Sequence, residues 1–338
     1  MSTPRIIVAS ASRLLETVNA FALGLYRVGV RSVHRSPVPV VSVGNLAAGG
    51  TGKTPLVVAL ARELAIRGRR PAILTRGYRR RGREPVFLAP GQERPWDEVG
   101  DEPALIAQAV PGVPIVVDAD RVRGASTAVV RAGAGVVVLD DGFQHWRLAR
   151  DLDVVTVDVA DPLCTLAPRR EPPRALGRAH AVVITNADRG DVAAALALLR
   201  PFAPRASYFA CAARPTWLHR GDVRVPATTL AGVRVVAVAG IAVPERFFAS
   251  LRDLGAEVVA QIPRPDHHVH TPAEVTALLR EAKAANAEVV MTAKDVVKLS
   301  PLLAGAVAWL EVETVFREGS VVGLLALLPP RGGLESGS

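Results

Sequence analysis

The segment Val40–Pro55 reads VVSVGNLAAGGTGKTP, and the order of its residue types predicts the fold of the chain around it. A short apolar, β-branched run leads into a glycine-rich turn, and a Lys-Thr pair then opens the amphipathic segment Leu56–Gly68. This order is typical of a phosphate-binding loop between a strand and a helix. The glycines let backbone N–H groups approach a phosphate, and the helix N-terminus adds a partial positive charge. The segment therefore predicts a nucleoside triphosphate site.

Residue types within this loop predict individual roles. We expect Lys53 to reach the β- and γ-phosphates and the Thr54 hydroxyl to bind Mg²⁺. The other residues predicted to hold the nucleotide here are Gly49, Gly50, Thr51 and Gly52. Ala47 stands where the usual G-x-x-x-x-G-K-T pattern has its first glycine. The alternative is a turn that merely connects a strand to a helix, which the joint fit of strand, loop and helix disfavours.

Composition narrows the class of protein. The chain has 338 residues, enough for about two domains. Its apolar fraction is 49% but its aromatic fraction only 4%, so the core must be mostly aliphatic, as in α/β sheets. The spacing of Cys164 and Cys211 fits no metal site and argues for a reducing compartment. The net charge of +9 predicts an anionic partner: a nucleotide, a nucleic acid or an anionic membrane surface.

Residues 1–35 predict an amphipathic N-terminal helix, which Thr3 caps and Pro4 begins. Apolar or small residues recur at spacings of four and three along one face, at Ile7, Ala11, Leu14, Val18, Phe21, Leu25 and Val28. The helix either docks on its own domain or lies in a membrane interface. Charged residues interrupt Ile6–Val30, so no segment is expected to span a bilayer, and we expect a cytoplasmic protein.

Strand-like and helical runs alternate after the glycine loop, which predicts an α/β fold with a mostly parallel sheet flanked by helices. The predicted strands are Pro71–Thr75, Pro114–Val117, Val136–Leu139, Val154–Val157 and Ala181–Ile184. The predicted helices are Asp101–Ala109, Arg121–Ala132 and Asp191–Arg200. We expect a nucleotide-binding domain at residues 36–206, a β linker at 207–228, a smaller α/β domain at 229–328 and a disordered tail at 329–338.

Polar side chains follow the predicted strand Val136–Leu139. Asp140 comes directly after it, a position that faces Mg²⁺ beside the glycine loop in nucleotide-binding sheets. Asp141, Gln144 and His145 continue the run, and such groups are too polar to be buried without partners. A structural aspartate at a strand end is the alternative.

Three further positions carry candidate side chains near predicted strand ends or helix starts. Asp101 and Glu102 open a predicted helix, where acidic residues are also common as caps. Arg121 follows the strand that ends near Val117 and is expected near a phosphate, or else on the surface. Arg170 and Glu171 follow the predicted strand Val154–Val157, on the edge of the sheet that faces the ligand.

The segment Pro265–His270 contains three of the seven histidines. Alternation puts His268 and His270 on one side and His267 on the other. A metal site is conceivable, but no cysteine lies nearby, and an Asp beside a His also suits acid–base chemistry. Surface histidines are the remaining alternative.

Residues 67–83 contain eight arginines. Tyr78 is the one aromatic residue among them, so the segment does not form a stacking surface for single-stranded nucleic acid. It is either a solvated loop or an electrostatic contact with anionic lipid or phosphate.

Taken together, these blocks resemble the tetraacyldisaccharide 4'-kinase family of lipid A biosynthesis. The matching blocks, in the order of the family, are Gly44-Asn45 with Gly49–Pro55, Thr75–Tyr78, Gly100–Pro103, Leu139–His145, Arg170–Pro172, Pro265–His268 and Thr292–Asp295. They cover the chain from about the first helix to the last strands. Seven blocks in order are far more specific than any one of them.

The resemblance implies a membrane-associated enzyme at the cytoplasmic face of the inner membrane, with two α/β domains that close over ATP and Mg²⁺. It implies that Asp101 accepts the proton of the sugar hydroxyl with His267 paired to it, and that Asp140 and Asp141 sit at the metal and the nucleotide. Residues implied to contact the acylated disaccharide 1-phosphate are Asn45, Tyr78, Glu102, Gln144, His145, Arg170, Glu171 and Asp266. Neither a nucleic acid nor an obligatory protein partner is implied.

The chain departs from the family pattern at three positions, and a second class of protein competes with the kinase. Arg264 and His270 replace usual aromatic residues, and Arg169 lies in an altered Arg-Glu-Pro block, which affects substrate contacts but not the reaction. The competing class is a membrane-partitioning P-loop ATPase switch. Such switches carry a lysine just before the glycine pair, where this chain has Ala48.

Overall fold

A computed structural model describes residues 3–47 and 49–329 of the chain. Ala48 and most of the predicted tail therefore lie outside the described residues. The helices are α1 (Thr3–Arg27), α2 (Lys53–Ile66), α3 (Trp96–Val99), α4 (Asp101–Ala109), α5 (Arg121–Ala132), α6 (Val192–Leu199), α7 (Pro244–Asp253), α8 (Pro272–Ala284), α9 (Ala293–Val296), α10 (Pro301–Gly305) and α11 (Val321–Leu325). Two short 3₁₀-helices lie at Pro173–Arg178 and Ala227–Leu230.

The strands of the described residues form one mixed sheet. They are β1 (Val40–Gly44), β2 (Pro71–Thr75), β3 (Val86–Leu88), β4 (Ile115–Val117), β5 (Val136–Asp140), β6 (Leu152–Asp158), β7 (Ala181–Thr185), β8 (Ser207–Arg220), β9 (Val223–Pro226), β10 (Arg234–Ala239), β11 (Glu257–Pro263), β12 (Glu288–Thr292) and β13 (Ala308–Glu318). Their order is β11-β10-β12-β13-β8-β7-β6-β1-β5-β2-β4-β3, and β9 pairs with β8. The pairs β3–β4, β8–β9 and β8–β13 are antiparallel and the others parallel, which confirms the predicted fold class.

Strand β8 connects the two halves of the molecule. It pairs in parallel with β7 at its start and antiparallel with β13 along its length. Its far end turns into β9, with Leu218 opposite Val225, so the predicted linker region contains a β-hairpin. The sheet therefore runs without a break from the half that contains the glycine-rich loop into the smaller half.

Aliphatic strands pack against helices on both faces of the first half of the sheet. Val41 and Val43 point to one face, in a core cluster with Leu56 and Leu60 of α2. Neighbouring side chains such as Val40 point to the other face, in a cluster with residues of α5. Gly44 ends β1, and a Cβ there would lie 2.5 Å from the Cβ of Phe143. Glycine at this position lets the segment after β5 lie against the end of β1.

Polar side chains hold α1 against the body of the protein. The Ser12 hydroxyl accepts a hydrogen bond from the backbone N–H of Arg169, and Arg169 donates to Glu16 over 2.8 Å. Asn19 donates to the carbonyl oxygen of Arg170. The three helix residues recur at spacings of four and three and thus form one polar face.

The apolar face of α1 is directed to solvent. Leu14, Val18 and Phe21 are 67%, 57% and 70% exposed. The structure thus confirms that the helix docks on the body of the protein with its polar side, and it leaves the apolar side exposed. No helix in the described part of the chain is long and apolar enough to cross a membrane.

Candidate functional site

A cavity of about 1020 Å³ opens beside the phosphate-binding loop. Parallel strands β1, β5 and β2 lie next to each other, so their carboxyl ends and the loops that follow meet at one edge. Side chains from both halves of the molecule line the cavity. The predicted site residues among them are Gly49, Gly50, Thr51, Gly52, Lys53, Thr54, Tyr78, Glu102, Asp140, Asp141, Arg170, Asp266 and His267.

A chain of buried hydrogen bonds supports the phosphate-binding loop. Asn45 donates to the Thr51 hydroxyl over 3.0 Å, and Thr51 shares a 2.8 Å bond with the hydroxyl of Thr156. Gly52 begins α2 with a φ of 74°, in the left-handed region, and no side chain caps the helix. The N-terminus of α2 thus remains available to an anion, whereas the fully buried Asn45 supports the loop.

Asp141 pairs with two of the basic side chains that line the cavity, Lys53 and Arg170. Its carboxylate lies 3.6 Å from Lys53 Nζ and accepts from Arg170 Nη1 over 2.8 and 2.9 Å. Burial alone would raise the pKa of Asp141, but Lys53 and Arg170 outweigh it and hold that pKa below its usual range. The residue is therefore ionised, and Lys53 has an acidic partner before any phosphate is bound.

Asp140 offers a free carboxylate oxygen at the floor of the cavity. Its Oδ2 accepts from the Thr75 hydroxyl over 3.1 Å, whereas its buried Oδ1 has no hydrogen-bond partner. Burial, and then the neighbouring Asp141, raise the pKa of Asp140. A cation would satisfy the free oxygen and restore the charged form. Carboxylate and hydroxyl oxygens are the ligands that Mg²⁺ prefers, so Asp140 and Thr54 fit this ion.

A carboxylate–imidazole pair adjoins the cavity: His267 lines it, whereas Asp101 is 3% exposed and does not. Asp101, the first residue of α4, is 2.6 Å from Nδ1 of His267, which is 166 residues away in the chain. His267 has a φ of 65°, a left-handed conformation uncommon for a non-glycine residue. Lys294 Nζ lies 3.3 Å from Nε2 of the same ring and donates to Asp266 over 3.0 Å. Because an ammonium only donates, Lys294 assigns an acceptor role to Nε2 and leaves the proton on Nδ1, facing Asp101.

Sequence reasoning did not assign a role to Lys294. Its signal was its place in the block Thr292–Asp295, one of the blocks that carry the family resemblance. The structure places this block at the carboxyl end of β12, where Lys294 reaches the cavity.

Four predicted site residues lie in a layer beneath the cavity instead of lining it. Gln144 donates to the carbonyl oxygen of Asn45 and to Glu171, which also accepts two bonds from Arg178. The other two are Arg121 and His145. Burial lowers the pKa of Arg121 to about 10. Burial, followed by the charge of Arg121, lowers the pKa of His145 to about 4. His145 is therefore neutral at physiological pH.

Glu102 titrates near neutral pH in the folded protein. Burial, and then the charge of Asp140, raise the pKa of Glu102 to about 7. Folding thus favours the protonated form of Glu102. Its contribution to the free energy of unfolding is fully present below the unfolded-state pKa of about 4.5 and is lost as the pH rises through 7. We expect Glu102→Gln to flatten the decline in free energy of unfolding between about pH 5 and about pH 8, measured by urea denaturation without nucleotide. The exposed Glu93→Gln is the control, and an unchanged pH dependence in Glu102→Gln would contradict the assignment.

Known proteins with similar sequences and structures were compared with the chain. The profile of the family "Tetraacyldisaccharide-1-P 4'-kinase" matches residues 4–328. The tetraacyldisaccharide 4'-kinase of Anaeromyxobacter sp. (strain Fw109-5) is 44% identical over 293 residues, covering 82% of this chain and 78% of that protein. The corresponding protein of Syntrophus aciditrophicus (strain SB) is 41% identical over 324 residues, covering 86% and 84%. A crystal structure of LpxK from Aquifex aeolicus in complex with ATP is similar at a TM-score of 0.75 and 30% identity, covering 96% of this chain and 99% of that one.

Proposed function

We propose, from the premise that this chain belongs to the tetraacyldisaccharide-1-P 4'-kinase family, that it transfers the γ-phosphate of ATP to the 4'-hydroxyl of a tetraacyldisaccharide 1-phosphate. The product is the corresponding 1,4'-bisphosphate. The observation that carries the proposal is one cavity lined by both the phosphate-binding loop and His267, whose imidazole is bonded to Asp101. Donor and acceptor groups of a kinase therefore face the same space.

The donor half of the site consists of the loop and the strand ends around it. Lys53 and the N-terminus of α2 are positioned to neutralise the phosphates of ATP. On phosphate binding, Lys53 exchanges its contact with Asp141 for the nucleotide, and Arg170 keeps that carboxylate paired. Thr54 and Asp140 would hold Mg²⁺, which when bound neutralises charge on the phosphates.

The acceptor half of the site is the Asp101–His267 pair with the basic side chains at the cavity wall. A sugar hydroxyl needs a proton acceptor to attack phosphorus, and Asp101 takes this role in our proposal. His267 orients the carboxylate through its Nδ1–H, and Lys294 fixes the ring. Arg76 and Arg79 line the same cavity and suit an anionic substrate.

The exposed apolar face of α1 supports attachment to the cytoplasmic surface of the inner membrane. An acylated substrate keeps its chains in the bilayer, so the enzyme must work at the interface. The polar face of α1 is bonded next to Arg170 in the donor half, which joins the helix directly to the site. Apolar side chains on one face with arginines nearby are typical of interfacial helices.

Changing Leu14, Val18 and Phe21 together to serine is expected to weaken binding to anionic vesicles at least about tenfold. Each side chain contributes on the order of 1.5–3 kcal/mol when it is fully buried in an apolar phase, and about 1.4 kcal/mol suffices for tenfold. Cosedimentation with vesicles measures the effect. Val130→Ser is the matched control, because this residue is also exposed but lies on α5. Equal binding of the triple variant and the wild type would refute the interfacial role.

The proposed reaction is tested with purified protein, Mg²⁺-ATP and the acylated disaccharide 1-phosphate in detergent micelles. We expect transfer of labelled phosphate from ATP to the lipid. A partitioning ATPase would instead hydrolyse ATP under stimulation by a protein partner and leave the lipid unchanged. That second outcome would overturn the kinase proposal.

A further inference from the structure

A cluster of three possible metal ligands begins directly after His267, with two members on the segment that joins β11 to α8 and the third in the first turn of α8. His268, His270 and Glu274 each offer one ligand atom, and these atoms all lie within 4.8 Å of one another. His268 Nε2 and Glu274 Oε1 are already 3.2 Å apart. Four ligands around one zinc ion, at bond lengths of about 2.0–2.2 Å, are separated by about 3.3 Å. The cluster therefore needs only a small contraction to fit a zinc-sized ion.

His270 is the independent sign that a group is bound here. The residue is 4% exposed, and its Nδ1 has no hydrogen-bond partner. Its Nε2 lies 3.5 Å from Asp295 Oδ1; burial would raise the pKa of Asp295, but this long contact helps to hold it below its usual range. Asp295 is already bonded to the backbone N–H of Gly240 and to the Thr292 hydroxyl. A buried ring nitrogen without a partner costs on the order of 1–3 kcal/mol, which coordination would remove.

We propose that His268, His270 and Glu274 bind one zinc-type divalent ion, with the fourth position taken by water. Two imidazole nitrogens and one carboxylate oxygen are a ligand set typical of zinc, whereas Mg²⁺ takes oxygen ligands. This ion is therefore distinct from the one expected at Asp140. The proposal does not depend on the kinase reaction.

Binding of the ion would fix the conformation of the segment that carries His267. The ion would connect His268 and His270 to Glu274 in the first turn of α8. His268 directly follows His267, whose backbone is in the left-handed region. Strained backbone persists only where its surroundings hold it in place. Zinc binding is thus expected to stabilise this segment and to raise the melting temperature of the protein as the free zinc concentration rises above the dissociation constant.

Two substitutions remove a ligand with little change in shape. His270→Phe keeps an aromatic ring at a position where the family pattern usually has one. Glu274→Gln keeps the capping box in which Thr271 and Glu274 bond each other, because glutamine also serves at that position. His34→Gln, at an exposed histidine in another part of the molecule, is the control.

The test is titration of the full-length, chelator-treated protein with Zn²⁺ against a chromophoric chelator, and with Co²⁺ as an absorbing substitute. We expect one tight site per chain, with intense visible Co²⁺ bands of a four-coordinate site. His270→Phe and Glu274→Gln should each weaken it more than about 100-fold. His34→Gln and Asp140→Asn should leave it unchanged. Absence of saturable binding to the wild type, or binding that survives both ligand variants, would overturn the proposal. If His270→Phe does not fold, Glu274→Gln decides alone.

Discussion

Lys53→Ala is expected to lower the rate of phosphate transfer by about 10²–10³, comparable to deleting one preorganised donor at a transition state. Lys53 lies at the N-terminus of α2 and lines the cavity, so its ammonium can follow the charge that develops on the transferring phosphoryl group. The fold should survive the change, because Arg170 still pairs with the carboxylate of Asp141. The loss should therefore appear in kcat as well as in the affinity for ATP.

Steady-state kinetics with the lipid in micelles measures this effect. Lys283→Ala is the matched control, because Lys283 is exposed on α8, away from the phosphate-binding loop. Lys53→Arg keeps the charge but not the compact ammonium, and should recover only part of the rate. A rate of Lys53→Ala within about threefold of the wild type would contradict the assignment of the loop as the donor site.

Local patterns suffice to predict that Lys53, Thr54 and Asp140 lie close together, and all three line one cavity. The roles of Lys53, Thr54 and Asp140 depend on two strand ends that must meet at one edge of a parallel sheet. The parallel direction of the strands and the positions of the glycines determine where the two strand ends meet. Residues that are close together in the sequence therefore suffice to predict this arrangement. Gly44 adds a contact with Phe143 that brings the two strand ends together.

Long-range contacts and burial were the parts that the sequence did not provide. No spacing rule brings Asp101 to His267, and the pair was expected only from the family resemblance. The family resemblance implied that Gln144 and Glu171 contact the substrate, whereas in the structure the two bond each other and do not line the cavity. A polar residue after a strand can serve either purpose, and only packing distinguishes them.

The amphipathic pattern of α1 likewise does not show which face of the helix contacts the rest of the protein. Periodicity identified the apolar stripe correctly, but a stripe does not say what covers it. The polar residues Ser12, Glu16 and Asn19 determine which face docks, because they bond Arg169 and Arg170. These partners lie more than 150 residues away in the sequence.

Asp101→Asn is the most direct test of the acceptor half of the site. The substitution keeps the size and a hydrogen-bonding side chain but removes the proton acceptor, so we expect transfer to fall by about 10²–10⁴. Binding of ATP should stay within about threefold of the wild type, since the phosphate-binding loop is unchanged. Glu98→Gln, at an exposed acidic residue of α3 close in sequence to Asp101, should retain full activity.

His267 is expected to act through Asp101 and not independently of it. The two side chains are joined by a 2.6 Å contact, and Lys294 holds the far side of the imidazole. Residues that work as one unit show strongly non-additive losses. His267→Gln alone should therefore lower the rate less than Asp101→Asn, and the double variant should be no slower than Asp101→Asn. Losses that multiply in the double variant would show that the two residues act separately. The carboxylate would then need another partner to orient it towards the sugar hydroxyl, and Lys294, 3.0 Å from Asp266 at the same wall of the cavity, would be the first to test.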